Sequence, residues 1–183
     1  MCTLFYSLRL AGLLLVVGGA VSSCLNPPDY SDTPSLSDPQ IVLNRLKSRT
    51  GVADSIAITV SYQDGNGDLG LANGDTTGVY AYKGGANRNN NNYFLQPYIR
   101  DASGNFQLYV NPSAKVGEYD GRFPRINAEG AKAAPVKGTL TFGKSYIVGL
   151  PFRPGQVVHF VVSIQDRGLH ESNQVTTPDI TIP

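Results

Sequence analysis

The sequence predicts an all-β fold, an antiparallel β-sandwich that follows an export segment and a flexible tether. Three observations carry this. Ile56, Ile58, Val60 and Tyr62 alternate with Ser55, Ala57, Thr59, Ser61 and Gln63, the period of two that gives a strand one buried face. Val158, Phe160, Val162 and Ile164 alternate in the same way with His159, Val161, Ser163 and Gln165. Short apolar runs separated by turn residues such as Ala102-Ser103-Gly104-Asn105 then fill the rest of the chain, which is how many short strands are punctuated.

The elements follow in order. A chain of 183 residues with 41% hydrophobic and 16% charged content has room for a core in one or two domains. Residues 1–23 differ in kind: Arg9 provides a short positive region and Leu10 to Val21 an apolar run ending in small residues, the layout of a secretory signal. The run falls short of the roughly 20 residues that cross a bilayer. It ends Val21-Ser22-Ser23-Cys24, which resembles the bacterial lipobox, and the resemblance implies that Cys24 carries a diacylglycerol and becomes the N-terminus. Cys2, the other cysteine, lies inside the signal, so a processed chain has neither a disulfide nor a thiolate metal site. Loss of Arg9 leaves one basic residue fewer than the 15 of the full chain, equal to its 14 acidic ones. That balance excludes a nucleic-acid footprint. Residues 24–39 carry Pro27, Pro28, Pro34 and Pro39 among Ser, Asp and Asn, a composition that stays extended, and residues 40–183 form the predicted domain.

Within that domain, strands are expected at 56–62, 78–83, 93–100, 106–110, 138–142, 145–150, 158–164 and 175–182. Pro39 to Lys47 reads as a short helix or a first strand. Seven to nine short strands with regular turns point to a sandwich of immunoglobulin-like type, with a jelly roll or small β-barrel as the alternative. The passage Asp166-Arg167-Gly168-Leu169-His170-Glu171-Ser172-Asn173, between a strand and a closing strand, resembles the end of bacterial immunoglobulin-like domains. No Trp is present, so the antibody-type hallmarks are absent.

Chemistry concentrates in Asp64-Gly65-Asn66-Gly67-Asp68-Leu69-Gly70-Leu71-Ala72-Asn73-Gly74-Asp75. Oxygen donors at loop positions 1, 3, 5 and 12 have the spacing by which a hard cation gathers anionic ligands. The stretch resembles a dockerin or EF-hand type calcium loop, and the resemblance implies Asp64, Asn66 and Asp68 as side-chain ligands, Gly70 through its carbonyl and Asp75 closing the shell. Leu69 stands where the EF-hand has Gly, and no helix flanks the loop. The competing reading is hairpin chemistry, which also favours Asp-Gly and Asn-Gly. Calcium takes six to eight oxygens, so Asp166 or Asn173 is expected to help complete the shell. In an immunoglobulin-like sandwich the loops after the second and penultimate strands share one pole.

Other motifs carry less. Gly65-Asn66-Gly67-Asp68-Leu69-Gly70 matches G-x-G-x-x-G, but turn residues follow where a dinucleotide site needs a helix, and the aspartates repel phosphate. The Asn-rich run 84–92 reads as an exposed loop or a sugar-contacting one. His159 falls on the outward face of its strand and His170 sits in a loop with no nucleophile motif, so no catalytic group is assigned. Lipobox, tether, the Asp64 to Gly70 motif and Asp166-Arg167-Gly168 together resemble surface lipoproteins of the Bacteroidota, a likeness that implies location and fold. The expected function is a non-enzymatic lipid-anchored outer-membrane protein, facing the periplasm or the surface. It would serve as a binding or structural module toward an envelope protein or glycan. A carbohydrate-binding accessory protein is the alternative and a glycan-acting hydrolase the third reading.

Overall fold

The computed structural model describes residues 28–49, 51–83, 87–111 and 117–183. Residues 1–27, with Cys24 and the signal, lie outside that set, as does part of the Asn-rich run. Among the described residues, eight strands form two antiparallel sheets. β1 (Ser35–Ser48), β2 (Gly51–Asp64) and β5 (Val136–Ile147) make the first, in the order β1-β2-β5. The second is β4 (Phe106–Leu108), β3 (Tyr93–Arg100), β6 (Val157–Ile164) and β7 (Val175–Thr176) in that order, with β8 (Ile180–Thr181) also paired to β6. The sheets are open and face each other across one core, so the architecture is a β-sandwich and not a closed barrel.

The alternation of β2 places Asp54, Ile56, Ile58, Val60, Tyr62 and Asp64 on the buried face, and that of β6 buries Val158, Phe160, Val162 and Ile164 opposite them. Tyr93 stacks on Phe142 with ring centroids 4.6 Å apart, and Phe152 meets Phe160 edge-on at 5.8 Å. Both geometries add to the burial of large rings.

Several expected elements differ. Pro39 to Lys47 is strand, the middle of β1, whose pairing with β2 slips between Ser37 and Gln40 around Pro39. β1 begins at Ser35, so residues 35–39, tether by composition, belong to the sheet; buried Leu36 explains why. The expected strand at 78–83 is a single 3-10 turn, Gly78–Tyr80, followed by chain outside any ladder. The expected pair at 138–142 and 145–150 is one continuous strand, because Gly143 and Lys144 pair with Ala57 and Ile56 instead of turning. The closing strand is broken into β7 and β8 around Pro178, which has no N–H to give the ladder. Ser163 on β6 and Gln165 just past its end are buried and not outward. The 166–172 loop folds back over them, with Ser163 Oγ donating to Glu171 Oε1 at 2.6 Å.

Candidate metal site

β2 and β6 end side by side, so the loops that follow them meet at one pole. Leu69 bridges to Asp166, the Arg167 N–H donates to the Asp68 carbonyl at 3.2 Å, and the Arg167 guanidinium donates to the Leu69 and Gly70 carbonyls at 3.2 Å each. The expected shared pole is therefore present. Asp64 stands in the inward row that began at Asp54, which is why a carboxylate closes the core face of β2 with 0% of its surface exposed.

One carboxylate oxygen from each of Asp64, Asp68 and Asp166 lies within 4.8 Å of the others. Asp64 Oδ2 accepts the Gly67 N–H at 2.7 Å and the Asp68 N–H at 3.2 Å. Asp68 Oδ2 accepts the Gly168 N–H at 3.1 Å. The second oxygens, Asp64 Oδ1 and Asp68 Oδ1, are buried with no hydrogen-bond partner. Asp166, 2% exposed, takes the His170 N–H on Oδ1 and faces His170 Nδ1 with Oδ2, each at 2.8 Å.

The charges register this crowding. Burial pushes the Asp64 carboxyl up to about 6, with the Asp68 and Asp166 carboxylates adding to the rise against the pull of the Gly67 amide. Burial, then the Asp166 carboxylate, raises Asp68 as well. His170 is raised by its bond to Asp166.

The remaining expected ligands are used elsewhere. Asn66 Oδ1 accepts the Asp68 N–H at 3.0 Å, an Asx turn. The Gly70 carbonyl is taken by Arg167, and Gly70 itself, at φ 89°, packs where a Cβ would strike the Pro124 backbone. Asp75 is held below the usual carboxylate range by the Ala72 amide at 2.8 Å and by Arg125 at 3.0 Å. It therefore pins the far end of the loop and stands apart from the triad. Asn173 gives its amide to Leu36. Arg125 and Arg167, which the loop's spacing does not point to, reach it from segments far along the chain.

Of the two histidines, His159 is packed rather than solvated: its side chain is 14% exposed, 3.9 Å from the Phe106 ring and 3.2 Å from Asp179. A groove of about 660 Å³ opens elsewhere, bordered by Tyr82, Asn87, Gln96, Tyr109 and Asp120. Among the described residues no helix is long and apolar enough to cross a membrane.

No family model matches the chain, and no curated protein matches it. Among solved structures it is similar to the "X-ray structure of Northeast Structural Genomics Consortium target SoR45", with 8% identity over 84% of this chain and 88% of that one and a TM-score of 0.29. A likeness of that size carries no argument about ligand or activity.

Proposed function

We propose that the protein is a non-enzymatic, lipid-anchored component of the bacterial envelope, a binding or structural β-sandwich module whose acidic pole is stabilised by calcium. The observation that supports the pole most directly is the pair of buried, unpartnered oxygens on Asp64 and Asp68 beside a third buried carboxylate. A buried polar atom left without a partner is costly. A cation satisfies both oxygens and cancels the repulsion at once. An all-oxygen carboxylate set suits a hard ion, calcium above zinc or copper. Immunoglobulin-like topology, attachment through Cys24 and an outer-membrane location belong to the same reading and rest on the sequence motifs.

Two measurements test it. Calcium at about 100 times Kd is expected to stabilise the fold by roughly 2.7 kcal/mol. EDTA is expected to reverse this, and Asp64→Ala or Asp68→Ala to remove the difference; superimposable melting curves in calcium and EDTA reject the site. Cys24→Ala is expected to release the protein from membranes, since a diacyl anchor is stable where one chain is marginal. Sedimentation of that variant with carbonate-washed membranes rejects the anchor.

The groove favours a second reading, a carbohydrate-binding accessory protein. Tyr82, 60% exposed, and Tyr109 offer ring faces, while Asn87, Gln96 and Asp120 offer groups for hydroxyls. A glycan-array signal that is lost in Tyr82→Ala and unaccompanied by turnover supports it; turnover instead supports the hydrolase.

A further inference from the structure

We infer that the cation at Asp64, Asp68 and Asp166 also latches the chain segment that leads to the anchor, so that Tyr30 to Leu36 is held on the domain when the site is filled and let go when it is stripped. This rests on the calcium reading above and adds to it what the ion controls.

Ser35 and Leu36 pair with Gln63 and Tyr62 at the end of the β1–β2 ladder, and besides that ladder the segment is held at two points, one on each metal-bearing loop. On the first, the Gly65 N–H, next in sequence to Asp64, donates to the Ser31 carbonyl at 2.8 Å. The contact is so close that a Cβ on Gly65 would run into the Tyr30 carbonyl and come within 2.9 Å of Asp32 Oδ1. On the second, the Asn173 side chain acts as a strand partner for Leu36: Oδ1 accepts its N–H at 2.8 Å and Nδ2 donates to its carbonyl at 3.0 Å. Pro34, between these points, and Leu36 itself are buried.

The two holding points stay in register only while the loops do. What joins the loops is the Leu69 to Asp166 bridge and the Arg167 and Gly168 donations to Asp68, Leu69 and Gly70. Across the same joint, Asp64 and Asp68 on one side face Asp166 on the other. Unscreened, three carboxylates push the joint apart; a divalent cation between them pulls it together. Ser31 is held from the first loop and the Leu36 N–H and carbonyl from the second, so opening of the joint draws one hold away from the other and leaves the segment to the last pairs of the β1–β2 ladder.

The test is hydrogen exchange of the full-length chain, with calcium alone as the ligand and EDTA as the comparison, alongside calorimetric titration with calcium. Calcium is expected to slow exchange of the Gly65 and Leu36 amides by about tenfold or more relative to EDTA, as closing a local opening does. Asn173→Ala is expected to keep calcium binding and yet leave Leu36 fast in both conditions. Asp68→Asn, which keeps the shape of the loop, is expected to abolish the calcium effect on both amides. If titration shows calcium binding but the two amides exchange equally fast with and without it, the latch is wrong and the metal site stands. If no binding is measured, both fall. Calcium-dependent protection of Leu36 that survives Asn173→Ala also overturns the latch as drawn.

Discussion

Two buried aspartates on one strand have opposite fates. Asp54 and Asp64 lie in the same inward row of β2, 4% and 0% exposed. Asp54 faces Arg45, its register partner on β1, which grips both oxygens, Nε to Oδ1 at 2.7 Å and Nη2 to Oδ2 at 2.8 Å. Asp64 faces two more carboxylates and keeps one oxygen bare. Burying a charge demands a counter-charge. At Asp54 the chain supplies it; at Asp64 it supplies amide N–H groups, and in the proposed reading calcium would bring the counter-charge.

The sharpest way to break that contrast is Arg45→Ala. It strands the buried Asp54 carboxylate in the sheet and is expected to give the largest loss of the series. The loss, read from urea unfolding, should be the same in calcium and in EDTA. The same isosteric change at both positions should then give opposite signs. Asp54→Asn weakens a bidentate, charge-assisted contact and should cost about 2 kcal/mol. Asp64→Asn removes a charge that the metal-free fold resists, and in EDTA at pH 7 should gain on the order of 1 kcal/mol. The sign follows from the direction of the shift: folding raises the Asp64 carboxyl from 3.8 to about 6. Its contribution to the metal-free fold is therefore present below the unfolded value and lost as pH rises through the folded one, and Asn holds the neutral state at all pH. Two losses of equal size would show that Asp64 needs its charge even without a cation.

The smallest expected effect comes from a carboxylate between these extremes. Glu171 is held low first by Arg88, at 2.6 and 2.9 Å, and by Ser163. A depressed carboxyl stabilises above its unfolded pKa and loses that contribution as pH falls through its folded one. Arg88→Ala should thus cost under about 1 kcal/mol at pH 7, since the pair is partly solvated, and the share of that cost due to Glu171 should shrink in thermal melts as pH falls through its depressed folded pKa.

The contrast also marks what was legible in the sequence. Alternation from Ile56 to Tyr62, carried two residues further, places Asp64 on the inward row, and the meeting of its loop with Asp166 follows from the order of strands. Both are consequences of the local period. Arg45 against Asp54, Arg125 against Asp75 and Asn173 against Leu36 have no local signature. They depend on register and on loop paths set by the packing of the whole sandwich, which is why spacing alone marks Asp75 as a ligand while the fold engages it with the Ala72 amide and Arg125. The continuous β5 has the same origin: Gly143-Lys144 looks like a turn until Ala57 and Ile56 pair with it.

The two flanks of the first sheet are unlike. β1 slips register beside Asp38, at φ 51°, and Pro39, a local defence against a further strand. β5 has no such break through Val136–Ile147, no described strand pairs with its far side, and Thr139, Thr141, Gly143 and Ser145 are small. An antiparallel contact of β5 with β5 would be isologous, so strand addition at this edge would use up the open flank of the first sheet in both copies at once, and the flank it left outside in that sheet is β1, slipped beside Pro39.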